Sequence, residues 1–181
     1  RDAVVDAWRR LAAAAPGLKI IVATYFGALR ENLPLFLSLP AHAFHVDCVR
    51  APAELDEVLE QLPQDKILSL GVVDGRNIWK NDFTKSLKLL SAAKTKVGTQ
   101  RLWVAPSCSL LHSPVTLASE PALDAQIENW LAFADEKLTE VVTLSALLRN
   151  VSRSGVLENN QDAIHSRTTS RRTYNPEVRA R

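Results

Sequence analysis

Four places in this chain combine residue types that could do chemistry. Cys108 and His112 lie four apart, a spacing that could serve a metal or a thiol reaction, although one such pair without a second is a weak metal signal. Asp74-Gly75-Arg76-Asn77 is the most polar cluster. Its Arg76 could clamp a carboxylate or phosphate, or pair with Asp74 to order the loop. Asp47-Cys48 puts a carboxylate beside a thiol, and Thr24-Tyr25-Phe26 closes the first apolar run. Cys48, His42 and His45 sit in apolar surroundings and read as structural, and Trp79 and Trp103 read as packing residues.

These places share one feature, because each follows an apolar, β-branched run. Lys19–Tyr25 (KIIVATY), Ala43–Val49 (AFHVDCV), Lys66–Val73 (KILSLGVV) and Arg101–Ala105 (RLWVA) read as strands. The first, apolar throughout, predicts a strand buried on both faces. Between them the periodicity is helical. Residues 2–15 form one helix stopped by Pro16-Gly17, residues 31–39 a short one that tolerates Pro34 near its first turn, and residues 52–62 a third. A fourth runs from an Asp82 cap to about Val97, where Gly98 ends it. A long loop spans Ser107–Glu120, and residues 122–149 predict the longest helix, with Ile127, Leu131, Ala134, Leu138 and Leu148 inward.

Strands alternating with helices predict βαβ units on a parallel sheet. Four units are half of a (β/α)8 barrel, which takes about 250 residues. The fold class is therefore α/β, about half of a TIM barrel, with an open doubly wound sheet as the rival; Tyr25-Phe26-Gly27-Ala28 is not the Gly-rich turn that rival usually carries. Barrels of this kind place their chemistry at the C-terminal strand ends, which is where all four candidate clusters fall.

Composition narrows the function classes. Apolar residues make up 46% of the 181, enough for a packed core. No apolar run approaches the ~20 residues that span a bilayer, and Arg1–Arg10 is a charged amphipathic stretch and not a secretory signal. Two cysteines are too few for a disulfide framework, so a reducing compartment is expected. Residues 149–181 carry seven Arg against Glu158, Asp162 and Glu177, and the stretch from Val151 is rich in Ser, Thr, Asn and Arg without periodicity. It predicts an extended, solvated basic linker; nucleic acid or acidic lipid would be the other reading of its charge, but no aromatic residues interleave to stack bases. Met is absent even at position 1, so we expect a chain that starts inside a longer reading frame, or a processed or partial product.

The runs GVVDGRNIWKND (71–82) and LWVAPSCSLLHSPV (102–115), the stretch LASEPALDAQIENWLAFADEKLTEV and the closing SRTTSRRTYNPEVRAR are specific. Together the sequence resembles cobalamin-independent methionine synthase over essentially its whole length. The resemblance implies a two-barrel enzyme that moves a methyl group from 5-methyltetrahydrofolate polyglutamate to homocysteine. It implies zinc, which holds the homocysteine sulfur as a thiolate, and a cytoplasmic setting. It places residues 1–150 in the second half of the N-terminal barrel and 151–181 in the linker before the catalytic barrel, whose His, Cys, Glu and Cys ligands hold the metal. By the family's internal duplication, the His-x-Cys pair falls on Thr24 and Phe26, the Glu on Asp47, the last Cys on Cys108 within WVAPSC, and the acid/base His near Arg76. The resemblance thus implies vestigial metal positions, no catalytic residue and no bound cofactor in this chain. Asp74, Arg76 and Asn77 remain candidate substrate-wall residues, and the folate-tail contacts of the family lie upstream of residue 1. The expected partners are the catalytic barrel and, through it, homocysteine and methyltetrahydrofolate, with neither nucleic acid nor membrane. Two other readings stand beside this one: a stand-alone truncated interaction module, and a decarboxylase-type TIM-barrel enzyme.

Overall fold

A computed structural model describes residues 2–151 and 153–175. Four strands, β1 (Ile21–Ala23), β2 (Ala43–Asp47), β3 (Ile67–Val73) and β4 (Leu102–Pro106), form one parallel sheet in the order β1-β2-β3-β4. Sequential parallel neighbours are what repeated right-handed βα units produce. The register pairs His45 with Ser69 and Asp47 with Gly71, and Ser69 in turn with Trp103.

Side chains alternate across a strand, and here the alternation sorts the two faces. Phe44, Val46, Leu68, Leu70, Val72 and Leu102 are buried in one cluster with helix residues such as Leu33, Phe36, Val58, Leu90 and Leu144. The helices that supply them are α2 (Leu33–Leu37), α3 (Leu55–Gln61), α4 (Phe83–Val97) and α6 (Ala134–Leu148). Each touches the next in a row, so all lie on the same side of the sheet, as a barrel wall requires. The opposite face carries His45, Asp47, Ser69, Gly71 and Trp103.

Local signals place the element ends. The α4 cap is Asp82, whose carboxylate accepts the Lys85 N–H at 3.1 Å, and Gly98 ends the helix at φ +78°. The helix α1 (Asp2–Ala14) stops before Pro16-Gly17 and rests on the core through half-buried Val5 and Trp8.

Four expectations are corrected. β1 is not buried on both faces: Val22 is buried, while Ile21 is 48% exposed, because helices cover only one side of the described sheet. Trp103, expected to be packed, is likewise 42% exposed on that uncovered face. The helix expected over 122–149 is interrupted. A turn of helix, α5 (Ala125–Glu128), and α6 flank Trp130–Phe133, four consecutive buried residues that a one-faced helix cannot bury together. This segment instead pairs with the chain after β3, with the Ala132 N–H donating to the Ile78 carbonyl at 2.8 Å and the Lys80 N–H to the Trp130 carbonyl at 2.9 Å. The break shifts the buried stripe of α6 to Lys137, Glu140, Thr143, Leu144 and Leu148, leaving Leu138 exposed.

Fourth, the stretch expected to be an extended linker contains a helix, α7 (Val156–Thr169). Polar contacts hold it, which is why hydrophobic periodicity did not reveal it. Asn160 accepts the Phe83 N–H at 3.0 Å and donates to the Asn81 carbonyl at 2.8 Å, and the Trp130 indole donates to Ser166 at 3.1 Å. The closing residues 176–181 of that stretch lie outside the described residues.

Candidate functional site

The C-terminal ends of the strands bring Thr24, Phe26, Asp47, Asp74, Arg76 and Cys108 to one rim, as the sequence predicts. What their polar atoms do there is structural. Asp47, at the end of β2 and 4% exposed, has both oxygens occupied: one accepts the Phe26 N–H at 2.9 Å, the other the N–H groups of Val49 and Arg50 at 3.0 and 2.9 Å. Phe26 needs that anchor, since its φ of +76° lies in the left-handed region that a bulky residue rarely adopts. Thr24 hydrogen-bonds the His45 carbonyl through its hydroxyl at 3.3 Å.

Asp74 folds its own loop. One oxygen accepts the Arg76 N–H at 2.8 Å and the other the Asn77 side-chain amide at 2.8 Å. Its ion pair is with Arg50, at 3.5 Å, and not with Arg76. The Arg76 guanidinium lies over the Phe26 ring, 4.6 Å from its centroid, and the His112 ring approaches the same phenyl group at 5.9 Å. Arg76, Phe26 and His112 therefore form a packed cluster linking the rims of three strands. The contact recorded for the His112 ring is with Phe26.

Cys108 is buried beneath Gly75. A Cβ at Gly75 would stand 3.0 Å from both the Cys108 carbonyl and Sγ, and the Gly75 N–H donates to Ser107 at 3.2 Å. Burial pushes the Cys108 thiol above its ordinary range and Cys48 up to about 12, so neither is poised as a thiolate. His45 bridges Ser69 at 3.0 Å and the Ser107 carbonyl at 3.4 Å, and burial lowers its basicity. His42 accepts the Ile20 N–H at 3.0 Å. Both histidines are structural, as expected.

The donor set fails as a zinc site. Phe26 offers only carbon, the Asp47 oxygens are committed to three amides, and the Cys108 thiol is held protonated. Among the described residues no group of three or more His, Cys, Asp or Glu is arranged to hold a metal.

Sequence reasoning missed the buried support behind the rim. Lys137 is fully buried and donates to the Trp79 carbonyl at 3.0 Å and to the Asn77 side chain at 3.4 Å. Glu140 accepts the Asn81 N–H at 2.8 Å, and its other oxygen has no partner among the described residues. Burial raises its carboxyl to about 7 and lowers the Lys137 ammonium. A charged pair three apart on an apolar-flanked helix reads as solvated surface, so only the loop that covers them reveals their burial.

Residues 1–98 match the family model described as cobalamin-independent synthase, N-terminal domain. The chain belongs to this family. It is 50% identical over 163 residues to the 5-methyltetrahydropteroyltriglutamate–homocysteine methyltransferase of Coxiella burnetii, an alignment covering 89% of this chain and 21% of that protein. It is 46% identical over 178 residues to the protein of the same name from Syntrophotalea carbinolica, covering 98% of this chain and 24% of that one. The chain thus spans between a fifth and a quarter of the curated relatives it matches. Membership in the cobalamin-independent synthase family decides against the decarboxylase-type barrel. No helix among the described residues is long and apolar enough to cross a membrane.

Proposed function

We infer that this chain is the scaffold part of a cytoplasmic methionine-synthesising methyltransferase, and that the methyl transfer from 5-methyltetrahydropteroyltriglutamate to homocysteine belongs to the longer protein. Residues 1–150 make the second half of its N-terminal barrel, and 151–181 connect to the zinc-bearing catalytic barrel. The observation that carries this reading is the 50% identity across 89% of the chain to a methyltransferase several times its length. The rim supports it, because Asp47 and Asp74 are engaged in holding loop backbone, the Asn77 amide and Arg50. In this role Asp74, Arg76 and Asn77 form part of the wall of the cleft between the barrels, and Thr24, Phe26, Asp47 and Cys108 keep the places of ligands without their chemistry. Zinc and the folate substrate are bound elsewhere in the longer protein.

The test is a chimaera. This chain replaces the matching segment of the Coxiella burnetii methyltransferase, and methyl transfer is assayed with the triglutamate donor. The reading predicts an active chimaera and an inactive 181-residue chain. A folded chimaera without activity, or turnover by the chain alone, contradicts it.

A further inference from the structure

A cavity of about 600 Å³ lies beside the rim, between the loop after β2 and the first turns of α4. Its volume is in the range of small-molecule sites, about 300–1,000 Å³. We propose that this cavity is a binding site for a small, multiply charged anion bearing phosphate or carboxylate groups, held by Lys80, Lys88 and Arg167.

The charge on its walls is unbalanced. Asp74 and Asp82 also line the cavity, but both are already matched, Asp74 by Arg50 at 3.5 Å and Asp82 by Lys85 at 3.0 Å. Lys80, Lys88 and Arg167 form no ion pair among the described residues. Lys80 donates to the neutral Asn129 side chain at 3.0 Å. Lys80 has Glu140 and Glu128 nearby and Arg167 has Asp82, but Lys80, Lys85, Lys88 and Arg167 on the cavity wall still outnumber Asp74 and Asp82, and a net positive concavity favours an anion.

Arg167 points to the same chemistry. It reaches back from α7 to lie over the Trp79 ring, 4.8 Å from the centroid, and its buried Nε has no hydrogen-bond partner among the described residues. A buried guanidinium N–H left unpaired is costly, and it gains a charge-assisted partner if Arg167 shifts towards a bound phosphate or carboxylate oxygen. Burial lowers both Lys80 and Arg167 from their ordinary values, only partly offset by Glu140 and Glu128 at the first and Asp82 at the second. The contact with Trp79 holds the guanidinium beside the cavity that both residues line. The site is complete only with α7 docked, because Arg167 belongs to that helix. Asp74 and Asn77 line this cavity as well as the cleft wall, but the cations that define the site are other residues, and the inference does not depend on the methyltransferase reading.

Calorimetric titration of the 181-residue chain at low salt tests it, with pyrophosphate in one arm and tricarballylate in the other. At least one should bind below about 10 mM, and Arg167→Gln and Lys88→Gln should each weaken binding by about tenfold. Lys96→Gln, at the far end of α4, should leave affinity unchanged. Binding by one anion alone assigns the phosphate or the carboxylate class, and binding by both assigns the shared chemistry. Lys88 is exposed, so its variant keeps the fold even if Arg167→Gln loosens α7. No binding of either anion to the folded chain, affinity untouched by Lys88→Gln, or an equal loss in Lys96→Gln overturns the proposal.

Discussion

The carboxylate of Asp47 accepts the backbone N–H of Phe26 at 2.9 Å, and so pins a bulky residue whose φ is positive, +76°. The same side chain closes the turn at Val49 and Arg50. A position that a catalytic barrel could give to a metal is here given to three amides. Removing it should strand those donors. Asp47→Ala is expected to cost about 2–4 kcal/mol in urea denaturation and Asp47→Asn, which keeps one acceptor oxygen, about half that. Equal stability of all three chains would show that the rim does not need this anchor.

The strand mouths were legible because four β-branched runs, an Asp82 cap and a Gly98 stop each act locally. Residues Thr24, Asp47, Asp74 and Cys108 were therefore placed at the correct end of the sheet. What escaped was decided by contacts far apart in sequence. The 129–133 break exists because residues 78–80 supply its hydrogen bonds, and α7 exists because Asn160 meets Asn81 and Phe83. The partner of Asp74 proved to be Arg50, from the neighbouring strand end, and not the nearby Arg76. Lys137 was unreadable for the same reason, since burial of a lysine depends on the loop laid across it.

Glu140 gives a pH dependence with a definite sign. Burial raises its folded-state value from an ordinary 4.5 to about 7, so the folded chain holds this proton more tightly than the unfolded one. Its contribution is fully present below pH 4.5 and is lost as pH rises through about 7. The loss is of the order of 3 kcal/mol at most. Subtracting the stability profile of Glu140→Gln from that of the parent chain isolates it. The variant should be about 1–2 kcal/mol more stable at pH 8, with little difference at pH 4. A difference that does not change with pH would refute the assignment.

Gly71 sits in β3 where the backbone just after β4 crowds against it. A Cβ there would fall 2.7 Å from the Ser107 Cα and 3.0 Å from the His45 ring, and backbone cannot yield as a flexible side chain does. Gly71→Ala should destabilise by about 2–3 kcal/mol or more. Gly27 has nothing within 4 Å of the corresponding position, so Gly27→Ala should stay within about 0.5 kcal/mol of the parent. Thermal unfolding of the two variants side by side checks the contrast.

The central claim is that the rim is built to hold backbone and not metal, and zinc stoichiometry tests it most directly. The chain is dialysed to equilibrium against micromolar zinc at neutral pH, and metal and protein are then measured together. The account predicts far less than one zinc per chain, with no change in Asp47→Asn or Cys108→Ser. One zinc per folded chain, lost in both variants, would contradict it.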